Sequence, residues 1–366
     1  MRFVLRGGEG NMGRTTTGRG PFVETALAVD AALEPELAAV EALVGARLAE
    51  REGPLAQACA TLVQRGGKRL RPLVALLAAR AAGGAGSPAA VRVAAAAELV
   101  HTATLVHDDL VDRAPLRRGG SSVHVSHGRA AALLTGDFLV ALAFGELARL
   151  AEAAPIVARL SDTIVQLAEG ECAETSVRWQ LALSLERREA IGRAKIAALL
   201  AWAAGAAAQA VGADADVCAA LVRYGQRLGE AFGHADDLLD WVGDVRWTGK
   251  PVWSDIRHGR VTAPLILGFE RDPALEPLVD RLRTEPLEAE AVGRRIEEIH
   301  DRLEACGAFA ATRERIRLRS EQAVEALEVL PPSASREALA AVAWTVCRVQ
   351  PDGVGVGNHA PVRVRV

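Results

Sequence analysis

Aromatic side chains are scarce in this chain: one Tyr, six Trp and seven Phe among 366 residues, 4% in all. A core without many rings must be filled by smaller apolar groups, and half of the chain is hydrophobic, mostly Ala, Leu and Val. Ala and Leu favour helix, and few segments alternate with the period of two that a half-buried strand needs. Paired cysteine is also missing. Cys59, Cys172, Cys218, Cys306 and Cys347 are scattered with no Cys-x-x-Cys, which argues against a zinc site and for buried free thiols in a reducing cytoplasm. No sign of charge dominates: the net charge is −3 and the pI near 6.3, so nucleic acid is not an expected partner. The basic stretches Arg113 to Arg118 and Arg187-Arg188 are short and flanked by acids or a loop. The first twenty residues lack an apolar run and are no signal peptide, which again points to the cytoplasm. Ile196 to Ala213 is almost wholly apolar, but it is built of Ala and Gly and contains Gln209. It reads as a close-packed core helix rather than a membrane span.

What remains is an all-α chain. Helical spacing begins near Thr25 and runs to about Glu50; Gly53-Pro54 opens a helix that ends at Gly66-Gly67, and Lys68 to Ala82 forms the next. Pro88 to about Arg113 is long and is stopped by Pro115 and Gly119-Gly120. Helices follow over Ala130 to Ala154, Pro155 to Ser176, Glu186 to Val211 and Asp214 to Val242. Asp244 to Gly259 reads as a loop; Val261 to about Phe269 and segments from Glu288 to Val349 complete the set. No linker divides the middle of the chain. We expect a disordered tail over 1–23, with Met12 a second candidate start, one helical domain over 24–350, and a flexible tail over 351–366.

Two acidic clusters stand out, Asp108-Asp109-Leu110-Val111-Asp112 and Asp236-Asp237-Leu238-Leu239-Asp240. Residues four apart share a helix face, so each cluster projects two or three carboxylates to one side. Crowded carboxylates in an apolar helix repel unless a cation compensates them. Oxygen-only ligands suit hard cations, above all Mg²⁺, which takes one or two carboxylates plus waters and substrate phosphates. Both clusters lie near helix C-termini, where the dipole further favours a cation. Two such sets facing each other would clamp a Mg²⁺-diphosphate. Basic groups complement them. Gly66-Gly67-Lys68-Arg69-Leu70-Arg71 places Lys68 and Arg71 three apart at a helix start, which suits a diphosphate; read alone, it is equally a solvated basic turn. Lys195, alone in an apolar helix, calls for an anionic partner.

In their order and spacing these segments resemble the trans-isoprenyl diphosphate synthase (polyprenyl synthetase) family. The run from Glu98 to Asp112 followed by Leu116-Arg117-Arg118-Gly119 is similar to that family's first aspartate-rich region. Thr135-Gly136-Asp137-Phe138 resembles the element that follows it. Asp236 to Asp240, then Gly249-Lys250-Pro251 and Asp255, resemble the second region. The resemblance spans roughly residues 25 to 350. It implies a single-domain isoprenoid-synthase-type helical bundle around a central active-site cavity, and a homodimer. It further implies three Mg²⁺ ions held by the two clusters (Asp108, Asp109, Asp112, Asp236, Asp237, Asp240). Isopentenyl diphosphate would be bound by Lys68, Arg71, His101 and Arg118, and the allylic diphosphate by Arg117, Lys195, Lys250 and Arg260. The implied reaction condenses the two into an all-trans polyprenyl diphosphate with release of diphosphate; a lipidic product implies at most peripheral membrane association.

Three positions depart from the family pattern. Ile196 follows Lys195 where a Thr is usual, Gly233 follows Phe232 where a Gln is usual, and Arg260 replaces a Lys. All three fall on the allylic side, and they motivate an alternative: a terpene cyclase-like or prenyl-transfer enzyme using a different acceptor. A non-catalytic partner subunit is disfavoured by six retained aspartates. Product length follows from sterics. Ala103 and Thr104, a turn before Asp108, are small, and Val100, Ala97 and Ala96 continue the face. From Ala96 to Asp108 is about 18 Å of helix, room for roughly three isoprene units, so a product of about C20 or longer is expected. Phe138 and Phe144 are the candidates for a floor contributed by a facing helix; otherwise the alanines serve only close helix packing.

Overall fold

The computed structural model of the chain describes residues 20–348 except 51, 65–66, 118–119, 244–251 and 286–288. Residues 1–19 and the tail expected at 351–366 lie outside the described residues, as do Arg118 and Lys250. Among the described residues the chain is all-α apart from a two-stranded hairpin, β1 (Leu116–Arg117) and β2 (Gly120–Ser121), paired antiparallel. The helices are α1 (Pro21–Val29), α2 (Glu34–Ala49), α3 (Pro54–Gln64), α4 (Leu70–Ala81), α5 (Pro88–Val111), α6 (Val123–Ser126), α7 (Arg129–Leu147) and α8 (Ala153–Ser176). They continue with α9 (Leu185–Gly192), α10 (Ala198–Ala210), α11 (Ala215–Val242), α12 (Ser254–Arg257), α13 (Ala263–Arg271), α14 (Leu275–Thr284), α15 (Ala289–Ala305), α16 (Ala308–Glu325) and α17 (Ala334–Arg348).

Proline in the first turn fits the starts of α1, α2, α5 and α13, where its missing N–H costs nothing. The Ser184 side chain caps α9 by accepting from Arg187 N at 3.2 Å. At the centre lie α4 and α10, whose buried faces are almost all Ala and Leu, and α10 packs against α4, α5, α8 and α11. Small side chains let these helices approach closely, which is what an aromatic-poor core permits. The apolar run at Ile196 to Ala213 is therefore interior: Leu199, Leu200 and Ala203 to Ala208 are buried in the bundle. The chain's one Tyr, Tyr224, is fully buried and donates to Leu339 O at 2.8 Å, tying α11 to α17.

Several boundaries differ from those read in the sequence. Pro21–Val23, assigned to the N-terminal tail, open α1; Phe22 is buried, with its ring 5.9 Å from Phe232. The helix expected over Glu186 to Val211 is interrupted by a π-helical turn, Arg193–Ala197. Helix α12 falls within the segment expected to be a loop over Asp244 to Gly259, and α6, α14 and the β1–β2 hairpin lie between the expected helices; four-residue helices and two-residue strands are too short to show a period. The thiols are free, as expected, but only Cys59 and Cys218 are buried; Cys306 and Cys347 are half-buried and Cys172 is exposed.

Candidate active site

The long helices α5 and α11, about 36 and 42 Å long, deliver the two acidic clusters at their C-terminal ends. Between the clusters runs a continuous line of ion pairs. Asp112 accepts from Arg178 at 2.5 Å and from Arg260. Arg260 lies 3.4 Å from Glu174 of α8, Glu174 accepts from Arg188 at 2.6 Å, and Arg188 donates to Asp237 at 2.6 Å. Lys195, in the π turn, reaches Glu174 and lies 2.6 Å from Glu171. Arg117 of β1 grips Asp109 through its Nε at 2.8 Å, and Asp108 and Asp236 both add to the field that holds its charge. One aspartate from each cluster thus lies within electrostatic reach of the same guanidinium. The clusters face one another.

The charges are unequal in consequence. Burial, and after it the negative charge of Glu171, push the Asp108 carboxyl up to about 7, against the pull of Lys195. Burial also raises Asp109, only partly offset by Arg117. Burial would raise Glu174 too, but Lys195, Arg188 and Arg260 surround it and bring it to about 2. Against the desolvation of both side chains, Glu174, Glu171 and Asp108 hold Lys195 above its usual range, and Asp237 and Glu174 do the same for Arg188. Asp240 serves differently: its carboxylate accepts from Ser254 N at 3.1 Å and Asp255 N at 2.9 Å, capping α12, which leads to Arg260.

Among the described residues no three acidic, His or Cys side chains gather into a finished metal pocket. The residues present nevertheless fit a hard cation. The donors are all carboxylate oxygens, and Asp108 beside Glu171 is a buried carboxylate pair that Lys195 compensates only in part. Mg²⁺ asks for only one or two protein carboxylates when phosphate oxygens and waters complete its shell.

Beside the second cluster, Lys68 precedes α4 with its Nζ 5.0 Å from the centre of the Phe232 ring, and Phe232, Ala235 and Asp236 line a small pocket with it. Arg69, in left-handed conformation with φ 48°, is anchored by Glu98 at 2.5 Å, so its neighbours Lys68 and Arg71 flank a fixed point. His101 and Thr104 are half-buried on the α5 stripe that ends at Asp108, and the Thr104 hydroxyl donates to His101 O at 2.8 Å. Val100 and Ala103 are buried on the adjacent stripe, the one that reaches His107, whose Nε2 is 3.1 Å from Leu133 O of α7. The face read as one in the sequence is therefore two, with Thr104 toward the acidic cluster and Ala103 toward α7. Phe138 and Phe144 of α7 pack partly buried against the core.

Two of the three departures touch. A Cβ at Gly233 would lie 3.3 Å from Ile196 Cδ1, so the isoleucine closes toward the space beside the glycine. His234 does not fill it: it is buried, with Nε2 3.4 Å from Glu189, which Arg315 and Arg319 also engage. Arg260 stands between Asp112, Asp255 and Glu174. Sequence reading missed Glu171, Glu174, Arg178 and Arg188. Arg187-Arg188 is a short basic stretch in the sequence, yet Arg188 is enclosed between Glu174 and Asp237. The available signal was the three-residue spacing of Glu171 and Glu174 on one face of α8.

Comparison with known proteins places the chain in a family. Residues 52–299 match the family described as Polyprenyl synthetase. The chain is 35% identical over 283 residues to an octaprenyl diphosphate synthase of Escherichia coli, covering 77% of this chain and 86% of that one. It is 38% identical over 297 residues to a short chain isoprenyl diphosphate synthase of Methanothermobacter thermautotrophicus, covering 79% and 88%. Its fold matches that of a polyprenyl synthase from Caulobacter crescentus, solved with calcium and isoprenyl diphosphate, with a TM-score of 0.81 at 34% identity over 89% of this chain and 97% of that one. This chain belongs to the polyprenyl synthetase family, the trans-isoprenyl diphosphate synthases, and is a prenyltransferase of isoprenoid biosynthesis.

Proposed function

We propose that this enzyme is a Mg²⁺-dependent polyprenyl diphosphate synthase. It condenses isopentenyl diphosphate with an allylic diphosphate (dimethylallyl, geranyl or farnesyl diphosphate) into an all-trans product of about C20 or longer. The observation that carries this reading is the facing pair of acidic helix ends, joined by arginines and bordered by Lys68 and His101. Asp108, Asp112 and Asp236 are the leading ligands for three Mg²⁺ ions, with Asp109, Asp237 and Asp240 completing or orienting the set. Cations bound there supply charge neutralisation for the departing diphosphate. Arg117, Lys195, Arg260 and Lys250 bind and orient the same group, so that the allylic C–O bond can ionise. Lys68, Arg71, His101 and Arg118 hold isopentenyl diphosphate with its double bond toward the allylic carbon. A new C–C bond forms there, and the proton lost from the adduct passes to the released diphosphate. The apolar wall of α5 keeps water from the cation.

The relatives include both an octaprenyl and a short chain synthase at similar identity, so the length argument rests on residues. Ala103 and Thr104 leave the first turn below Asp108 without a bulky side chain, which favours longer products. The contact of Ile196 with the space beside Gly233 removes polar groups from the allylic side and keeps the cyclase-like alternative in view. We infer a homodimer, supported by Leu133 and Leu134 on the outward face of α7, each 51% exposed. The cytoplasm is the inferred location, with membrane contact limited to the lipidic product.

Incubation of the purified enzyme with farnesyl diphosphate, isopentenyl diphosphate and Mg²⁺ tests the reading. Elongated diphosphates that require both substrates and the metal are the expected result. Hydrocarbon formed without isopentenyl diphosphate would establish the alternative instead.

A further inference from the structure

Asp112 is gripped on both oxygens, by Arg178 Nη2 on Oδ1 at 2.5 Å and by Arg260 on Oδ2. The resemblance assigns Arg260 to the allylic diphosphate and assigns Arg178 no role. It stands in the turn that follows α8, and its neighbour fixes it. Trp179 adopts φ 61°, an uncommon conformation for a residue with a side chain, and its N–H donates to Gly259 O at 2.7 Å. Gly259 has φ +74°, and a Cβ there would lie 2.4 Å from the indole Nε1. The turn carrying Arg178 is thus clamped against the segment carrying Arg260. Backbone strain of this kind gathers at functional sites. One further feature points to a missing partner: Arg178 Nε is buried with no hydrogen-bond acceptor among the described residues. A guanidinium donor left unmade is costly, and a phosphate oxygen is the acceptor it matches.

We propose that Arg178 is an additional ligand of the diphosphate, held on Asp112 until anion and cations arrive. The inference rests on the reading of the site given above, in which Asp112 binds a divalent cation beside a diphosphate. Two guanidinia and a cation cannot share one carboxylate, because like charges at contact distance repel strongly where water is scarce. When Asp112 turns to the cation, the fork of donors on Arg178 is released beside the phosphate oxygens. Arg178 therefore opposes the cation in the empty site and assists the anion in the filled one. A purely structural role would lack that reversal of sign.

Isothermal titration of the full chain, as wild type, Arg178→Gln and Arg178→Lys, separates the two. Each protein is titrated with Mn²⁺ alone and with inorganic pyrophosphate in the presence of Mg²⁺. Arg178→Gln should bind pyrophosphate about 10-fold more weakly, the loss of one charge-assisted contact, while binding Mn²⁺ alone more tightly than wild type; unchanged Mn²⁺ affinity would overturn the reversal of sign. Arg178→Lys should recover part of the pyrophosphate affinity, since it keeps the charge but not the fork. Equal pyrophosphate affinity in Arg178→Gln and wild type would overturn the role of Arg178 and leave the site reading intact, as would parallel losses in both titrations. A wild-type chain that binds no pyrophosphate with Mg²⁺ would overturn the site reading, and Arg178 with it.

Discussion

Two carboxylates that share Lys195 as a neighbour are driven in opposite directions. Burial and Glu171 raise Asp108 to about 7, whereas three cations override burial and lower Glu174 to about 2. The signs give a pH test. A carboxyl raised above its unfolded value contributes stability that is complete below about pH 4 and is lost as pH rises through 7. Glu174 acts oppositely: its contribution is present above its unfolded value and disappears as pH falls toward 2. Between pH 5 and 7.5 only Asp108 titrates of the two, so the melting temperature of the metal-free protein should fall more steeply with rising pH than that of Asp108→Asn. Identical slopes would mean Asp108 is ionised throughout. Asp108→Ala should lower kcat by about 10²-fold or more if its carboxylate holds a metal at the reacting diphosphate; near-normal turnover removes that role. The acidic clusters were legible in the sequence because their partners lie four residues away on the same helix. Arg188 and Glu174 were not: each finds its partner across helices, and nothing local distinguishes a buried arginine from a solvated one.

At the scale of elements, the π turn of Arg193–Ala197 presents Lys195 between two helices that press on it from both sides. A Cβ at Gly170 of α8 would lie 2.8 Å from Ala194 Cβ, and one at Gly229 of α11 would lie 2.4 Å from Ala197 Cα. The second meets backbone, which cannot swing aside. Gly229→Ala should therefore cost about 1–3 kcal/mol of stability and raise KM for the allylic substrate more than for isopentenyl diphosphate, because Lys195 moves with the turn. Equal effects on the two KM values would place Lys195 outside the allylic site. Helix α5 offers a second test. Ala103→Phe puts a ring on the stripe toward α7, and chain-length analysis should find shorter products; unchanged lengths would locate the floor elsewhere. Helical spans were readable from apolar spacing and from Gly and Pro. The π turn was not, because its register is imposed by glycines in other helices.

For the molecule as a whole, the scarcity of aromatics already implied a bundle of closely packed Ala- and Leu-rich helices, and α4 and α10 realise it. What lay beyond the sequence was which helix keeps an outward apolar face. Helix α7 is apolar enough to cross a membrane by composition, yet it is the least buried of the three such helices among the described residues. The proposed pairing of two copies would cover this face, and Leu133→Glu with Leu134→Glu should then shift the sedimentation coefficient from dimer to monomer; an unchanged value would move the interface off α7.

The most direct test of the facing clusters is a crystal grown with Mn²⁺ and pyrophosphate, read by anomalous scattering. Metal peaks should lie between the ends of α5 and α11, within coordination distance of Asp108, Asp112 and Asp236 and bridged by the pyrophosphate. Peaks confined to one cluster or to the outer surface, with Asp112 still held by its arginines, would contradict the account.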